Sequence, residues 1–175
     1  MTPLFFCKQI RAIERAAFKK RPSFEWMVLA GKSVAREAGK MLGKDKRPLL
    51  VVAGPGNNGG DAFIAAVELH AGGRKVRTVF YGDEKKLSAD AKRALAQYRQ
   101  SVGEPGKDIK DDEYALVIDG LFGIGLSRLP GPKMNKAVRL INCLACPVLA
   151  IDTPSGLCAD SGRTWGDVVP ATRTL

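Results

Sequence analysis

Only one histidine, His70, occurs in the 175 residues, and it falls inside an apolar helical segment. Ser-His-Asp and Cys-His schemes need an imidazole beside the nucleophile, so this chain offers them no base and His70 reads as an ordinary helix residue. Proton transfer then falls to carboxylates, lysines, tyrosines or water. Two aspartates stand out, because each closes an apolar run: Val117-Ile118-Asp119 and Ala150-Ile151-Asp152. In open α/β sheets ligands bind at the carboxyl ends of the strands, where such groups converge. Each aspartate has a plainer alternative role, capping the turn that follows its strand.

A third run, Leu49 to Ala53, leads into Gly54-Pro55-Gly56-Asn57-Asn58-Gly59-Gly60-Asp61 and then an apolar helix over Ala62–Ala71, closed by Gly72-Gly73. The spacing Gly54-x-Gly56-x-x-Gly59 between strand and helix is that of dinucleotide loops. There the bare backbone approaches a phosphate and the helix offers its positive end. A tight strand-to-helix turn with no ligand would use the same glycines. The P-loop is excluded, since no Gly-Lys-Ser/Thr follows. The Asn-Asn-Gly-Gly-Asp insert adds two amides and a carboxylate, oxygen ligands for which a diphosphate has no need.

The elements that must position these groups follow from periodicity. Lys8–Lys19 carries Ile10, Ile13 and Ala17 on one helical stripe. A second helix capped by Ser23 repeats Phe24, Met27, Val34, Ala38 and Leu42 and closes at Gly43. Strands are predicted at Lys75–Tyr81, Tyr114–Ile118 and Val148–Ile151, and helices on the Leu87–Val102 stripe and over Pro132–Leu144. A short edge strand is placed near Ile109. Strands alternating with helices predict a Rossmann-like, doubly wound, mostly parallel sheet in three layers, behind two leading helices. The length suits one domain over residues 1–175.

Composition limits the remaining classes. Hydrophobic residues at 45% and charged residues at 26% are those of a soluble globular protein, and no run reaches the length of a membrane span, so the cytoplasm is the default location. Residues 1–47 hold twelve Lys and Arg against four acids, which accounts for eight of the ten net positive charges. The aromatic and glycine interleaving of nucleic-acid modules is absent, so no nucleic-acid partner is expected; the basic layer reads as a solvated face that can steer an anionic ligand. Cys7, Cys143, Cys146 and Cys158 suit reduced thiols. Cys143-x-x-Cys146, in an apolar run without a second such pair, reads as buried structural cysteines.

GPGNNGGDAFIAA resembles the signature of the YjeF N-terminal domain family, the NAD(P)H-hydrate epimerases. Val117-Ile-Asp119-Gly-Leu-Phe-Gly123-Ile-Gly125-Leu and Ala150-Ile-Asp152-Thr-Pro154-Ser155-Gly156-Leu extend the likeness, in the family's order. The resemblance implies that the dinucleotide is the substrate, hydrated at its nicotinamide ring, and not a hydride-carrying cofactor. It implies contacts from Asn57, Asn58, Gly59, Gly60 and Asp61, and from Gly123, Ile124, Gly125, Leu126, Ser127, Arg128 and Leu129, with Arg128 suited to a phosphate. Asp152 would contact the hydrated ring and act as the acid/base. Asn58, Asp119 and Ser155 match the family's ligands for one potassium ion per subunit.

Ile124 stands where the family has threonine, Ala62 where it has glycine, and Val28 where it has an acid in its second leading helix. The family also sets expectations for a homodimer, for fusion or coupling to a NAD(P)H-hydrate dehydratase, and for another strand beginning at Ala171–Leu175, where this chain reads as truncated. Two rival readings are a nicotinamide-dependent dehydrogenase, with Asp83 as its ribose acid, and a non-catalytic nucleotide-binding domain.

Overall fold

The run Leu49–Ala53 forms strand β1, buried at every residue, in a computed structural model that describes residues 5–110, 112–126 and 128–175. Parallel neighbours flank it on both sides, β2 (Val76–Phe80) and β3 (Leu116–Gly120), with Leu49 opposite Val76 and Leu116. Strands β4 (Val148–Ala150) and β5 (Arg173–Thr174) complete an all-parallel sheet in the order β2-β1-β3-β4-β5. Central strands covered on both faces need apolar residues at every position, which is why these segments read as continuous runs and do not alternate.

Helices α2 (Ser23–Leu42), α3 (Asn57–Ala71) and α4 (Ala89–Ser101) pack on one face of the sheet, against Val51, Ile118 and Leu149. Helix α5 (Pro132–Cys143) covers the other face, against Leu50, Val52, Val117 and Val148. This is the expected three-layer Rossmann-like α/β fold, with every strand parallel. α3 lies between α2, α4 and the sheet, so it is apolar nearly all round.

The expected edge strand near Ile109 is reduced to one bridge at Gly106. Its N–H donates to the Thr78 carbonyl at 2.8 Å, and its carbonyl accepts from Phe80 N–H at 2.9 Å. Parallel crossovers are right-handed, so α3 and α4 can share a face only while the chain keeps moving outward from β1. Gly106 supplies that outer position beside β2. The chain then returns to lay β3 on the far side of β1. Winding therefore reverses between β1 and β3, and the crevice above such a reversal is where α/β sheets bind ligands.

Several boundaries differ from the sequence reading. α3 begins at Asn57, five residues early, so the Asn-Asn-Gly-Gly-Asp insert is its first turns and not a loop. Ser23 is the first helical residue of α2 and makes no cap bond, since Pro22 occupies the cap position. Asp119 lies within β3, one residue before its end. Helix α1 (Cys7–Phe18) buries none of its residues, and Ile13 of its apolar stripe is 54% exposed. Cys143 is exposed and Cys146 half-buried, so neither is a core cysteine. No described helix is long and apolar enough to cross a membrane.

Candidate active site

Three segments meet at the reversal: the β1–α3 turn, the loop after β3 and the loop after β4. Missing Cβ atoms lock them together. A Cβ on Gly54 would lie 1.8 Å from the Leu121 carbonyl oxygen, and one on Gly59 would lie 2.0 Å from the Gly54 carbonyl oxygen. Gly54 N–H donates to the Gly120 carbonyl at 3.0 Å, which continues the sheet ladder into the loop. A cleft of about 890 Å³ opens beside this knot. Asn58, Asp61, the 121–126 loop and Asp152 bound it on the sheet side. Arg11 and Glu14 of α1 and Ala30 and Ser33 of α2 bound it opposite.

The N-terminus of α3 faces the cleft through Pro55, Gly56 and Asn57. The first four N–H groups of a helix have no intrahelical acceptor. Gly60 N–H makes the first intrahelical bond, to the Gly56 carbonyl at 3.3 Å, and Gly59 N–H shares that carbonyl at 3.1 Å, while Gly56 itself has open space where a Cβ would stand. A Cβ on Gly60 would meet Met27 of α2 at 2.6 Å. The close approach that Gly59 and Gly60 permit is therefore to the protein itself, and neither lines the cleft.

Asp152 sits two residues beyond β4 in the left-handed region, at φ 67°. Its N–H donates to the Leu175 carbonyl at 2.8 Å, so pairing beside β5 sets the turn. Its Oδ2 accepts from Ile124 N–H at 2.6 Å. Gly123 makes room for it, since a Cβ there would lie 2.3 Å from Oδ2. Left-handed backbone at a non-glycine residue costs on the order of 1 kcal/mol and persists where surrounding structure imposes it, as at functional sites. Surrounding protein pushes the Asp152 carboxyl up, opposed by the Ile124 N–H.

Asp61, one turn into α3, is pushed up to about 8, first by burial and then by the charges of Asp152 and Glu14. Three carboxyls from three elements therefore border one cleft. Asp61 holds a proton near neutral pH, and carboxyls in unlike environments are how one site separates an acid from a base.

A second layer lies under the cleft. Asp119 is fully buried. Its Oδ1 accepts from Ser155 Oγ at 2.7 Å and from Leu121 N–H at 3.2 Å, and its Oδ2 accepts from Ser155 N–H at 2.9 Å. Burial pushes its carboxyl up against these bonds. Ser155 Oγ accepts from Phe122 N–H at 3.0 Å, and Asn58 Nδ2 donates to the Phe122 and Ile151 carbonyls at 2.8 and 3.2 Å. Phe122 thus joins Asn58 to the Asp119–Ser155 pair.

Of the remaining expected contacts, Gly123 to Leu126 and Arg128 line the cleft. Leu129 does not and is 60% exposed. Ser127 lies outside the described residues. Asn57 lines the cleft rim, where its Oδ1 accepts from Ser88 Oγ at 2.8 Å. Asp83 caps a short 3₁₀ turn through Lys85 N–H (3.0 Å) and is not on the cleft, which removes the ribose acid of a dehydrogenase reading. Sequence reasoning missed Arg11 and Glu14. Their three-residue spacing puts them on one helical face, a signal hidden by reading the apolar stripe as the buried one.

The raised Asp61 carboxyl has a consequence for stability. A carboxyl unfolded near pH 4 and folded near 8 takes up a proton on folding between those values, so its contribution falls as pH climbs through that window. Urea midpoints measured at about pH 6 and about pH 8.5 should fall for the wild type and fall less for Asp61→Asn. Equal drops in both proteins would mean that Asp61 titrates normally.

The sequence matches the family model described as YjeF-related protein N-terminus over residues 23–175. It is 41% identical over 160 residues to the NAD(P)H-hydrate epimerase of Bordetella bronchiseptica, covering 91% of this chain and 69% of that protein. It is 40% identical over 176 residues to the protein of the same name from Achromobacter xylosoxidans, covering 100% of this chain and 83% of the other. The bifunctional NAD(P)H-hydrate repair enzyme Nnr of Vibrio cholerae is 40% identical over 119 residues, 66% of this chain and 24% of that protein. Among solved structures, that of yeast ynu0, YNL200c, superposes with a TM-score of 0.76 at 18% identity, covering 98% of this chain and 79% of that one; the likeness is one of fold.

Proposed function

This chain belongs to the YjeF-related N-terminal family, and from that premise we propose that it is an isomerase interconverting the R and S forms of hydrated NAD(P)H, as the names of its epimerase relatives support. The observation that carries the reading is the Asp152 carboxyl, held by Ile124 N–H in a cleft at the carboxyl edge of the sheet. The substrate carries a hydroxyl on the ring carbon beside the nicotinamide nitrogen. Inversion there proceeds by loss and return of water, or by opening and closing of the ring. Water loss needs a proton given to the departing hydroxyl and taken back from the returning water. Ring opening needs a proton taken from the hydroxyl and given to the ring nitrogen as the C–N bond breaks, and both transfers reverse on closure. Either way a protein group exchanges a proton at that oxygen, and no oxidant or reductant is consumed.

Water loss leaves a cationic, iminium-like ring. Carboxyls line the cleft around that cation, with Asp152 and Glu14 able to supply negative charge and Asp61, raised to about 8, able to supply a proton. Asp152 is the acid/base, the α3 N-terminus and Arg128 hold phosphates, and the 123–126 turn carries the rest of the dinucleotide. Incubating the purified protein with pure R hydrate and following the S form, with the spontaneous rate subtracted, tests the proposal. Binding without conversion would favour the non-catalytic reading.

A potassium ion suits the layer below. Asp119 is a fully buried carboxylate bonded only to Ser155 and Leu121 among the described residues, with no cationic side chain against it. A buried charge normally has such a partner. Asn58, Ser155 and nearby carbonyls complete a hard oxygen set, and a bound ion would supply the missing positive charge. Thermal unfolding should show a higher midpoint in potassium chloride than in tetramethylammonium chloride at equal ionic strength. Equal midpoints would mean that Asp119 and Ser155 satisfy each other without an ion. A cytoplasmic location, a homodimer and coupling to a dehydratase belong to the same reading, the last supported by the names of the bifunctional relatives.

A further inference from the structure

Lys8, Arg11 and Arg15 recur at three- and four-residue spacing and share one face of α1. That face borders a second cavity of about 580 Å³, whose other walls include Gly125, Cys158 and Trp165. The turn Ile124–Leu126 separates it from the main cleft and lines both. Arg11 also lines both, and a Cβ on Gly125 would lie 3.5 Å from its guanidinium. Lys8 and Arg15 line only the second cavity.

Among the described residues none of the three cations joins an ion pair. The carboxylate on the cavity wall, Asp160, is turned onto the start of α1, accepting Cys7 N–H at 2.6 Å. Arg11 also acts on Asp160 through charge without an ion-pair contact, and three cations around a concave surface form a site for phosphate groups.

We propose that this second cavity takes the adenosine end of the dinucleotide, with Lys8 and Arg15 gripping a ribose 2′-phosphate, so that hydrated NADPH is preferred over hydrated NADH. The proposal rests on the epimerase reading and adds its substrate preference. The order of the walls matches the order of the molecule. Carboxyls stand at the nicotinamide end, and Arg11 stands at the junction, where the diphosphate joins the two nucleosides. Lys8 and Arg15 lie beyond it, where only the NADPH form carries another phosphate; a basic side chain at that point is what accommodates a 2′-phosphate in dinucleotide folds. Trp165 on the cavity wall is an aromatic residue against which an adenine could stack. All three cations precede residue 23, where the family match begins.

The test is the Lys8→Gln/Arg15→Gln double variant, two exposed positions whose change leaves the core intact. KM for hydrated NADPH should rise by about tenfold or more, the loss of charge-assisted hydrogen bonds. KM for hydrated NADH should stay nearly constant, with kcat unchanged for both. An equal rise for both substrates, or none for either, overturns the proposal. Calorimetry with adenosine 2′,5′-bisphosphate gives a readout independent of turnover. The wild type should bind it more tightly than AMP, and the double variant should lose that difference; equal wild-type affinities overturn the subsite. A wild type that converts neither hydrate yet shows the bisphosphate difference through Lys8 and Arg15 would remove the epimerase reading and support the subsite.

Discussion

Asp152→Asn should slow R-to-S conversion by about 10²–10⁴-fold, or roughly 3–5 kcal/mol of barrier, while dinucleotide binding stays within about tenfold. The substitution keeps the shape of the side chain and an oxygen that can accept from Ile124 N–H, the bond that now fixes Oδ2 at 2.6 Å. Asparagine also tolerates the left-handed backbone at φ 67°, so the turn above β5 should survive. What the amide cannot do is pass a proton at neutral pH, and His70, the one imidazole, is not on the cleft. The Asp61 carboxyl remains in the variant, so residual turnover should depend on pH through Asp61. Conversion of purified R hydrate, corrected for the spontaneous reaction and paired with calorimetry, reads both quantities. Wild-type turnover by the variant would make Asp152 a structural turn residue and move the acid/base role to Asp61 or Glu14.

Gly54→Ala should destabilise the fold by about 3 kcal/mol or more, while Gly56→Val should fold normally and lose dinucleotide affinity. The new methyl at position 54 would fall 1.8 Å from the Leu121 carbonyl oxygen and 2.6 Å from its carbon. Those are backbone atoms tied into the β1–β3 junction, so no side chain can turn aside. At position 56 a Cβ meets nothing within 4 Å, the φ of −101° suits any residue, and the side chain enters the cleft at the α3 N-terminus. Denaturant midpoints and ligand titrations separate the two effects. Near-native stability of Gly54→Ala would mean that the loop yields easily, and unchanged affinity of Gly56→Val would mean that the ligand does not pass that helix end.

The three glycines of one motif thus divide their work, and the spacing in the chain does not say which does what. The motif itself was legible, as were the buried runs of β1, β3 and β4 and the two aspartates near their ends, because a parallel sheet covered on both faces forces continuous apolar segments and places loops above its carboxyl edge. The start of α3 was not legible. Asn and Gly have low helix propensity, and Asn57–Asp61 becomes helical because Gly59 and Gly60 let it pack against the Gly54 carbonyl and Met27. Nor was the role of α1, whose apolar stripe suggested burial while its charged face carries Arg11 and Glu14 to the cleft. The raised carboxyl of Asp61 likewise belongs to no residue alone. It depends on desolvation and on the charges of Asp152 and Glu14, 91 positions later and 47 earlier in the chain. Local sequence determined the strands, their order of appearance and the kinds of chemistry available. Which oxygens face one another was decided only when the winding reversed between β1 and β3, since electrostatic coupling acts through distance in space and not along the chain.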